Sequence, residues 1–295
     1  MTVIELKNGD LSAKVHPEVG GAVTAFAKGG LQLFRPASAE AIATKNALDS
    51  ACYPLVPFSN RIANGRLVFQ GREYRMEPNM KPHPHPLHGH GFRGQWRVVE
   101  TTAASATLGF SYDGADFPSA YTSTQRIALG QNELTIDIAV KNTGDGPMPA
   151  GLGLHPFFRK PAGTKLQMQV AGVWLAANDD GIPTERVSVP REWDFSVLRE
   201  LGDVVLDHCF PGWESQRAVI EWPDVGLRAT LTAEGPMRHL VVYVPKGQDF
   251  FCVEPVTNMN NAFNRAERGD ADTGTVLLLP GESLDCRMNV ALESL

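Results

Sequence analysis

Glu133-Leu134-Thr135-Ile136-Asp137-Ile138-Ala139-Val140, closed by the turn residues Asn142-Thr143-Gly144, is the stretch that decides the fold class. In an extended chain Leu134, Ile136, Ile138 and Val140 fall on one side and Thr135, Asp137 and Ala139 on the other. One face is apolar and the other mostly polar, the pattern of an antiparallel sheet that turns one face to solvent or to a cleft. The same punctuation recurs in Leu11-Ser12-Ala13-Lys14-Val15, in Arg66-Leu67-Val68-Phe69 before Gln70-Gly71, and in Leu240-Val241-Val242-Tyr243-Val244 before Pro245. Such short runs bounded by Gly, Pro, Asn and Asp read as strands. With 28 Gly and 21 Pro, long helices have little uninterrupted room, and residues 39–51 are the best short-helix candidate. The expectation is an all-β sandwich of mainly antiparallel strands. Residues 144–149 form a turn-rich connection with strand-like sequence on both sides, so residues 1–295 are expected to form a single domain.

Composition narrows the function. Hydrophobic residues make up 43% and charged residues 20% of the 295, which suits a globular protein with a substantial core. The formal net charge is -6 and there is no basic run to follow a phosphate backbone, so neither nucleic acid nor a membrane is an expected partner. No run approaches the roughly 18 apolar residues that span a bilayer, and the first residues lack a basic segment followed by a long apolar one. A cytoplasmic location is expected. Cys52, Cys209, Cys252 and Cys286 are widely spaced and form no Cys-x-x-Cys pair, so free, mostly buried thiols are expected.

Several short motifs carry groups capable of chemistry. Glu254 follows the apolar run Phe250-Phe251-Cys252-Val253, which places it at the end of a buried strand, where desolvation raises a carboxyl pKa; position alone favours a salt-bridged carboxylate. His155 lies in Gly153-Leu154-His155-Pro156-Phe157-Phe158, among apolar neighbours, where a lone histidine is most often a hydrogen-bonded core residue. Half of the eight histidines fall in Lys81-Pro82-His83-Pro84-His85-Pro86-Leu87-His88-Gly89-His90. Alternation with proline predicts an extended backbone that projects His83 and His85 to one side, a geometry compatible with two metal ligands. No His-Glu-x-x-His or cysteine cluster accompanies them, and no metal or cofactor is expected. Arg61, in Asn60-Arg61-Ile62-Ala63-Asn64-Gly65, offers several donors in a fixed fork suited to vicinal hydroxyls, or to a structural carboxylate. Asp207 belongs to Leu206-Asp207-His208-Cys209-Phe210 and should face away from His208 if that segment is extended.

In this order these motifs resemble the signature of the aldose 1-epimerase (galactose mutarotase) family. The resemblance runs from Gly20-Gly21 to Leu278-Leu279-Pro280-Gly281-Glu282 and rests on Asn60-Arg61-Ile62, Leu87-His88-Gly89 with Gly91-Phe92 and Trp96, the His155-Pro156 pair with its aromatics, and Phe251-Cys252-Val253-Glu254-Pro255. It implies a large β-sandwich with an open cleft on one sheet and cofactor-independent interconversion of the α and β anomers of a free aldose. Glu254 would be the general base and His155 the general acid at the ring oxygen. Arg61, His88 and Asp207 would hold the sugar, with the Asn258-Met259-Asn260-Asn261 stretch beside them. All five are expected to converge on one cleft. The partner is then a small sugar, and the chain a monomer or homodimer.

Two departures stand out. His90 occupies the place of the family's second glycine in Leu-His-Gly-Gly, where its side chain would narrow the cleft or reach the sugar, and Val56-Pro57-Phe58-Ser59 precedes Asn60 where the family has Gly-Arg-x-x. Alternatives are a mutarotase for a phosphorylated or anionic sugar, with Lys81, Arg93 and Arg97 as rim cations, and a non-catalytic carbohydrate-binding protein of the same fold. Glycoside hydrolysis ranks last, because it needs paired carboxylates flanking the bond.

Overall fold

The computed structural model describes residues 1–177 and 180–295. Alternation settles which side each strand buries. In strand Glu133–Asn142, Leu134, Ile136, Ile138 and Val140 are at most 1% exposed, while Glu133 and Lys141 face solvent. Among the described residues that strand lies inside a sheet of nine strands, ordered Arg199–Glu200, Lys165–Met168, Arg217–Trp222, Leu227–Glu234, Ser283–Ser294, Glu133–Asn142, Tyr121–Leu129, Ser105–Tyr112 and Arg97–Thr101.

A larger sheet of eleven strands among the described residues lies against it. Its order is Ile4–Asn8, Leu11–His16, Ala22–Lys28, Cys52–Leu55, Gly153–Arg159, Phe250–Val256, His239–Val244, Leu206–Pro211, Val173–Ala176 and Pro183–Val187, with Leu31–Gln32 paired to Ala22–Lys28. The core fills the space between the sheets. Phe158 meets Trp222 of the nine-stranded sheet at 6.3 Å between ring centroids and Phe251 at 5.8 Å, and the Trp222 indole N–H donates to the Arg159 carbonyl at 3.0 Å. Burying one such side chain is worth about 1.5–3 kcal/mol. Because Phe158 and Phe251 point into this core, their alternates His155, Phe157, Cys252 and Glu254 point to the opposite face of the large sheet. The expected all-β, mainly antiparallel sandwich is the observed one.

Helix is sparse, as the Gly and Pro content predicts. Helix Ala39–Ala43 starts at Ser38, whose hydroxyl accepts the Ala41 N–H at 3.0 Å, and a single 3-10 turn at Ala47–Asp49 completes the expected segment before the chain returns to strand at Cys52. A second short helix, Ala262–Glu267, has no clear sequence signal. No helix among the described residues is long and apolar enough to cross a membrane. All four cysteines are free and buried.

Candidate active site

Two prolines open a gap in the middle of the large sheet. Strands Gly153–Arg159 and Phe250–Val256 pair at Gly153 with Val256 and next at Phe157 with Cys252; between these, Pro156 and Pro255 lack the N–H groups that would complete the ladder. Continuing the register sets His155 opposite Glu254, and His155 Nε2 lies 3.2 Å from Glu254 Oε1. The sequence places Glu254 at a strand end. It lies instead within Phe250–Val256, because Pro255 keeps an extended φ, pairs with Leu240 on the other side, and interrupts only one ladder.

Burial governs the chemistry of the pair. Glu254 is 1% and His155 7% exposed. Desolvation pushes the Glu254 carboxyl well above its ordinary range, the Asp207 charge pushes the same way, and the Arg61 charge opposes both. Desolvation lowers the His155 imidazole to about 3. The resting pair is therefore a protonated carboxyl against a neutral imidazole. His155 Nδ1 and Glu254 Oε2 are buried without a hydrogen-bond partner, a state that costs about 1–3 kcal/mol per group and marks a place where a polar ligand belongs. The ring plane is fixed by stacking, with Tyr53 at 4.6 Å and Phe157 at 4.5 Å. Phe157 is in turn covered by the Arg35 guanidinium at 3.9 Å, which donates to the carbonyls of Leu48 and Ser50.

His88 approaches from a loop. Its φ of +59° is the left-handed conformation that a non-glycine residue adopts at a cost of about 1–3 kcal/mol when its surroundings demand it. Those surroundings are an exchange with Asn60. The Asn60 N–H donates to His88 Nδ1 at 3.0 Å and the His88 N–H donates to the Asn60 carbonyl at 2.8 Å. An accepting Nδ1 puts the proton of the neutral ring on Nε2, and desolvation keeps that ring neutral. The imidazole edge meets His155 at 5.4 Å. Gly89 follows at φ +70°, where a Cβ would stand 2.3 Å from the Val56 carbonyl oxygen, so no larger residue fits.

Arg61 adjoins this loop, with Nη1 donating to Asn60 Oδ1 at 3.1 Å, and among the described residues no carboxylate pairs with it. The asparagines expected beside the sugar divide their work. Asn258 exchanges hydrogen bonds with both the N–H and carbonyl of Ser59 at 3.1 Å, and Asn261 holds Arg61 O at 2.7 Å and the Ala63 N–H at 3.1 Å. They shape the arginine loop through its backbone. Asn260 instead keeps a buried Oδ1 without a partner.

Asp207 stands on the same row of the sheet, through the pairs Asp207 with Tyr243, Tyr243 with Cys252 and Cys252 with Phe157. It is exposed and lines a cavity of about 540 Å³ with Trp174, Tyr243, Lys246 and Asn260. His208 alternates away from it, against Trp193 at 4.6 Å. Of the five residues singled out by sequence, His88, His155 and Glu254 are contiguous and Arg61 joins them through Asn60. Asp207 makes no hydrogen bond or ion pair with the others among the described residues, and reaches Glu254 only through its charge.

Three expectations need correction. The His-Pro run turns rather than extends, with the His83 N–H donating to Met80 O at 2.9 Å, so His83 is exposed whereas His85 is buried with Nδ1 accepting from the Asn64 N–H at 2.9 Å. The two rings do not pair as metal ligands. His90 offers no free ring nitrogen to a sugar, since both are engaged with Tyr121 and Asp116. Of the candidate rim cations, Arg97 lies on the edge strand Arg97–Thr101 of the other sheet, whereas Arg93 lines a recess with Gly89 and His90, beside the His88 motif.

The donor atoms of His155, Cys252 and Glu254 lie within 4.8 Å of one another, a set that a metal ion could use in principle. Burial and the neighbouring Glu254 push the Cys252 thiol well above its ordinary value, so a metal bound there would have to displace its proton. Sequence reasoning missed Cys252 here, and also Tyr53 and Arg35. Cys52-Tyr53-Pro54-Leu55 is buried on both faces, so it has no alternation to reveal which side Tyr53 serves.

A β-sandwich with a desolvated carboxyl–imidazole pair on its large sheet, flanked by a neutral histidine and by an arginine that no carboxylate among the described residues pairs with, has the groups that proton transfer needs. The chain matches the model of the aldose 1-epimerase family over residues 2–291 and belongs to that family. It is 32% identical over 300 residues to the uncharacterized protein YphB of Escherichia coli K12, covering 99% of each chain. It is also 28% identical over 137 residues, 43% of this chain and 38% of the other, to the aldose 1-epimerase of the same organism. A crystal structure of a candidate aldose 1-epimerase from Escherichia coli K12 superposes with a TM-score of 0.90 at 30% identity, over 100% of this chain and 99% of that one.

Proposed function

We propose that this protein interconverts the α and β anomers of a free aldose by acid/base ring opening and closing. The observation that carries the reading is the 3.2 Å contact between His155 Nε2 and Glu254 Oε1, each residue keeping a buried polar atom without a partner. One proton transfer across that contact converts the resting pair into a carboxylate and an imidazolium. The Arg61 charge supports the ionised form of Glu254 against burial. Glu254 then takes the C1 hydroxyl proton while His155 protonates the ring oxygen; the C1–O bond breaks and a C1 carbonyl forms. This returns the pair to its neutral forms, the state burial favours. Rotation about C1–C2 presents the other carbonyl face, and the reverse transfers close the ring as the opposite anomer. His88 Nε2–H and Arg61 donate to sugar oxygens, and Asp207 accepts from a hydroxyl.

Polarimetry across a panel of free and phosphorylated aldoses tests the reading. Acceleration above the spontaneous rate for at least one free aldose is expected. Acceleration confined to phosphorylated sugars would transfer the activity to an anionic substrate, and acceleration of none would leave a carbohydrate-binding protein of the same fold. Because the transfers need only Glu254 and His155, prolonged dialysis against a chelator is expected to leave the rate unchanged. Loss of activity restored by one divalent metal would assign the His155, Cys252 and Glu254 set to metal binding instead.

A further inference from the structure

His90 departs from the family pattern, and the structure gives it a closed set of partners. Its ring stacks on Tyr112 at 3.8 Å with 7° between planes. Nε2 lies 3.0 Å from Asp116 Oδ1 and Nδ1 lies 2.9 Å from the Tyr121 hydroxyl. The Tyr112 hydroxyl donates to the same Asp116 oxygen, and the Asp116 N–H donates back to Tyr112 at 3.1 Å. Burial alone would raise the Asp116 pKa, but hydrogen bonds from His90 and Tyr112 outweigh it and hold the carboxylate below its ordinary range. An ionised Asp116 accepts from Nε2–H, and Nδ1 shares a hydrogen bond with the Tyr121 hydroxyl, which burial keeps protonated. These partners belong to strands Ser105–Tyr112 and Tyr121–Leu129 of the nine-stranded sheet and to the turn between them.

The backbone of the same loop is tied to the other side. The N–H groups of His90 and Gly91 both donate to the Val56 carbonyl at 3.0 Å. Residues 88–91 are thus gripped by Val56 through the main chain and by the nine-stranded sheet through one side chain. Immediately before these grips sit the positive φ values of His88 and Gly89, +59° and +70°. A glycine at position 90 would leave three consecutive glycines, Gly89 and Gly91 being already present, and the greatest backbone freedom beside the strained histidine.

We infer that His90, held by Asp116 and Tyr121, is the positioning residue that fixes His88 with its Nε2–H aimed at the sugar. Because His88 and Asn60 exchange two hydrogen bonds, the same anchor steadies Arg61 beside Asn60. The inference rests on the mutarotase reading for its kinetic consequences, though not for its geometry.

The test combines anomer-exchange kinetics with ¹⁵N NMR of the histidine ring nitrogens in His90→Gly. KM for the sugar is expected to rise about tenfold while kcat falls by less than about threefold, the split produced when ground-state contacts are loosened. In a His88→Ala background, His90→Gly is expected to add no further loss, since residues acting through one another are not additive. The wild-type His88 ring is expected to show a single tautomer with Nδ1 unprotonated, and His90→Gly to lose that uniqueness. His90→Gln, whose amide can donate to Asp116 and accept from Tyr121, should restore both readouts. If His90→Gly does not fold, Asp116→Ala removes the same anchor and carries the test. Multiplying losses in the double variant, or an unchanged His88 ring signature in the folded single variant, would overturn the inference. If the wild type exchanges no anomers at all, the proposed function fails, yet the ring nitrogens still decide whether His90 positions His88.

Discussion

Glu254→Gln lowers the rate of anomer exchange by roughly 10²- to 10⁴-fold, the usual contribution of a positioned acid or base, and changes sugar affinity little. Glutamine keeps the length and the hydrogen-bonding capacity of the side chain but accepts no proton from C1–OH. The same variant should be more stable than the wild type at neutral pH, and the sign follows from burial. Below the ordinary carboxyl value of 4.5 both folded and unfolded chains carry the Glu254 proton, so titration contributes nothing there. As the pH rises from that value the unfolded chain releases the proton while the folded chain, with its raised pKa, retains it, and wild-type stability falls. Glutamine has no proton to release. Thermal unfolding should therefore give Glu254→Gln a higher Tm at pH 7 and no advantage once the pH falls below about 4.5. A lower Tm at pH 7 would show that the carboxyl is ionised and satisfied in the folded state.

His155→Asn is expected to lose a similar factor of about 10²–10⁴, because it removes the group that protonates the ring oxygen. The informative comparison is the double variant. Opening needs both transfers, and neither residue retains its role once the other is gone, so Glu254→Gln with His155→Asn should be scarcely slower than either alone. Exchange rates measured on the two single variants and the double decide this. Losses that multiply would mean that the residues act in separate steps and that the 3.2 Å contact is not the working unit.

Much of this was legible in the sequence, for identifiable reasons. The alternation in Glu133–Asn142 fixes its buried face, because a strand with one solvent face must separate its apolar and polar residues. The motifs around Arg61, His88, His155 and Glu254 carried the family, and their residues do gather in one place. Alternation failed where both faces are covered. In Cys52–Leu55 and Phe250–Val256 every residue is buried, so neither the stacking of Tyr53 on His155 nor the mid-strand position of Glu254 could be read from pattern. Proline misled twice, at Pro255, which opens a ladder without ending its strand, and in residues 81–86, where it shapes a turn. His90 resisted for a different reason. Its partners Tyr112, Asp116 and Tyr121 lie 22 to 31 positions away and only the approach of the two sheets brings them to it.

The central claim is that Glu254 and His155 together move protons on a bound sugar. NMR exchange spectroscopy between the anomeric protons of a free aldohexose, run beside equilibrium sugar binding for wild type and Glu254→Gln, tests it most directly. The predicted result is exchange above the spontaneous rate with the wild type and near the spontaneous rate with Glu254→Gln, at closely similar affinity. Wild-type-like exchange in Glu254→Gln, or sugar binding by the wild type with no acceleration, would contradict the account.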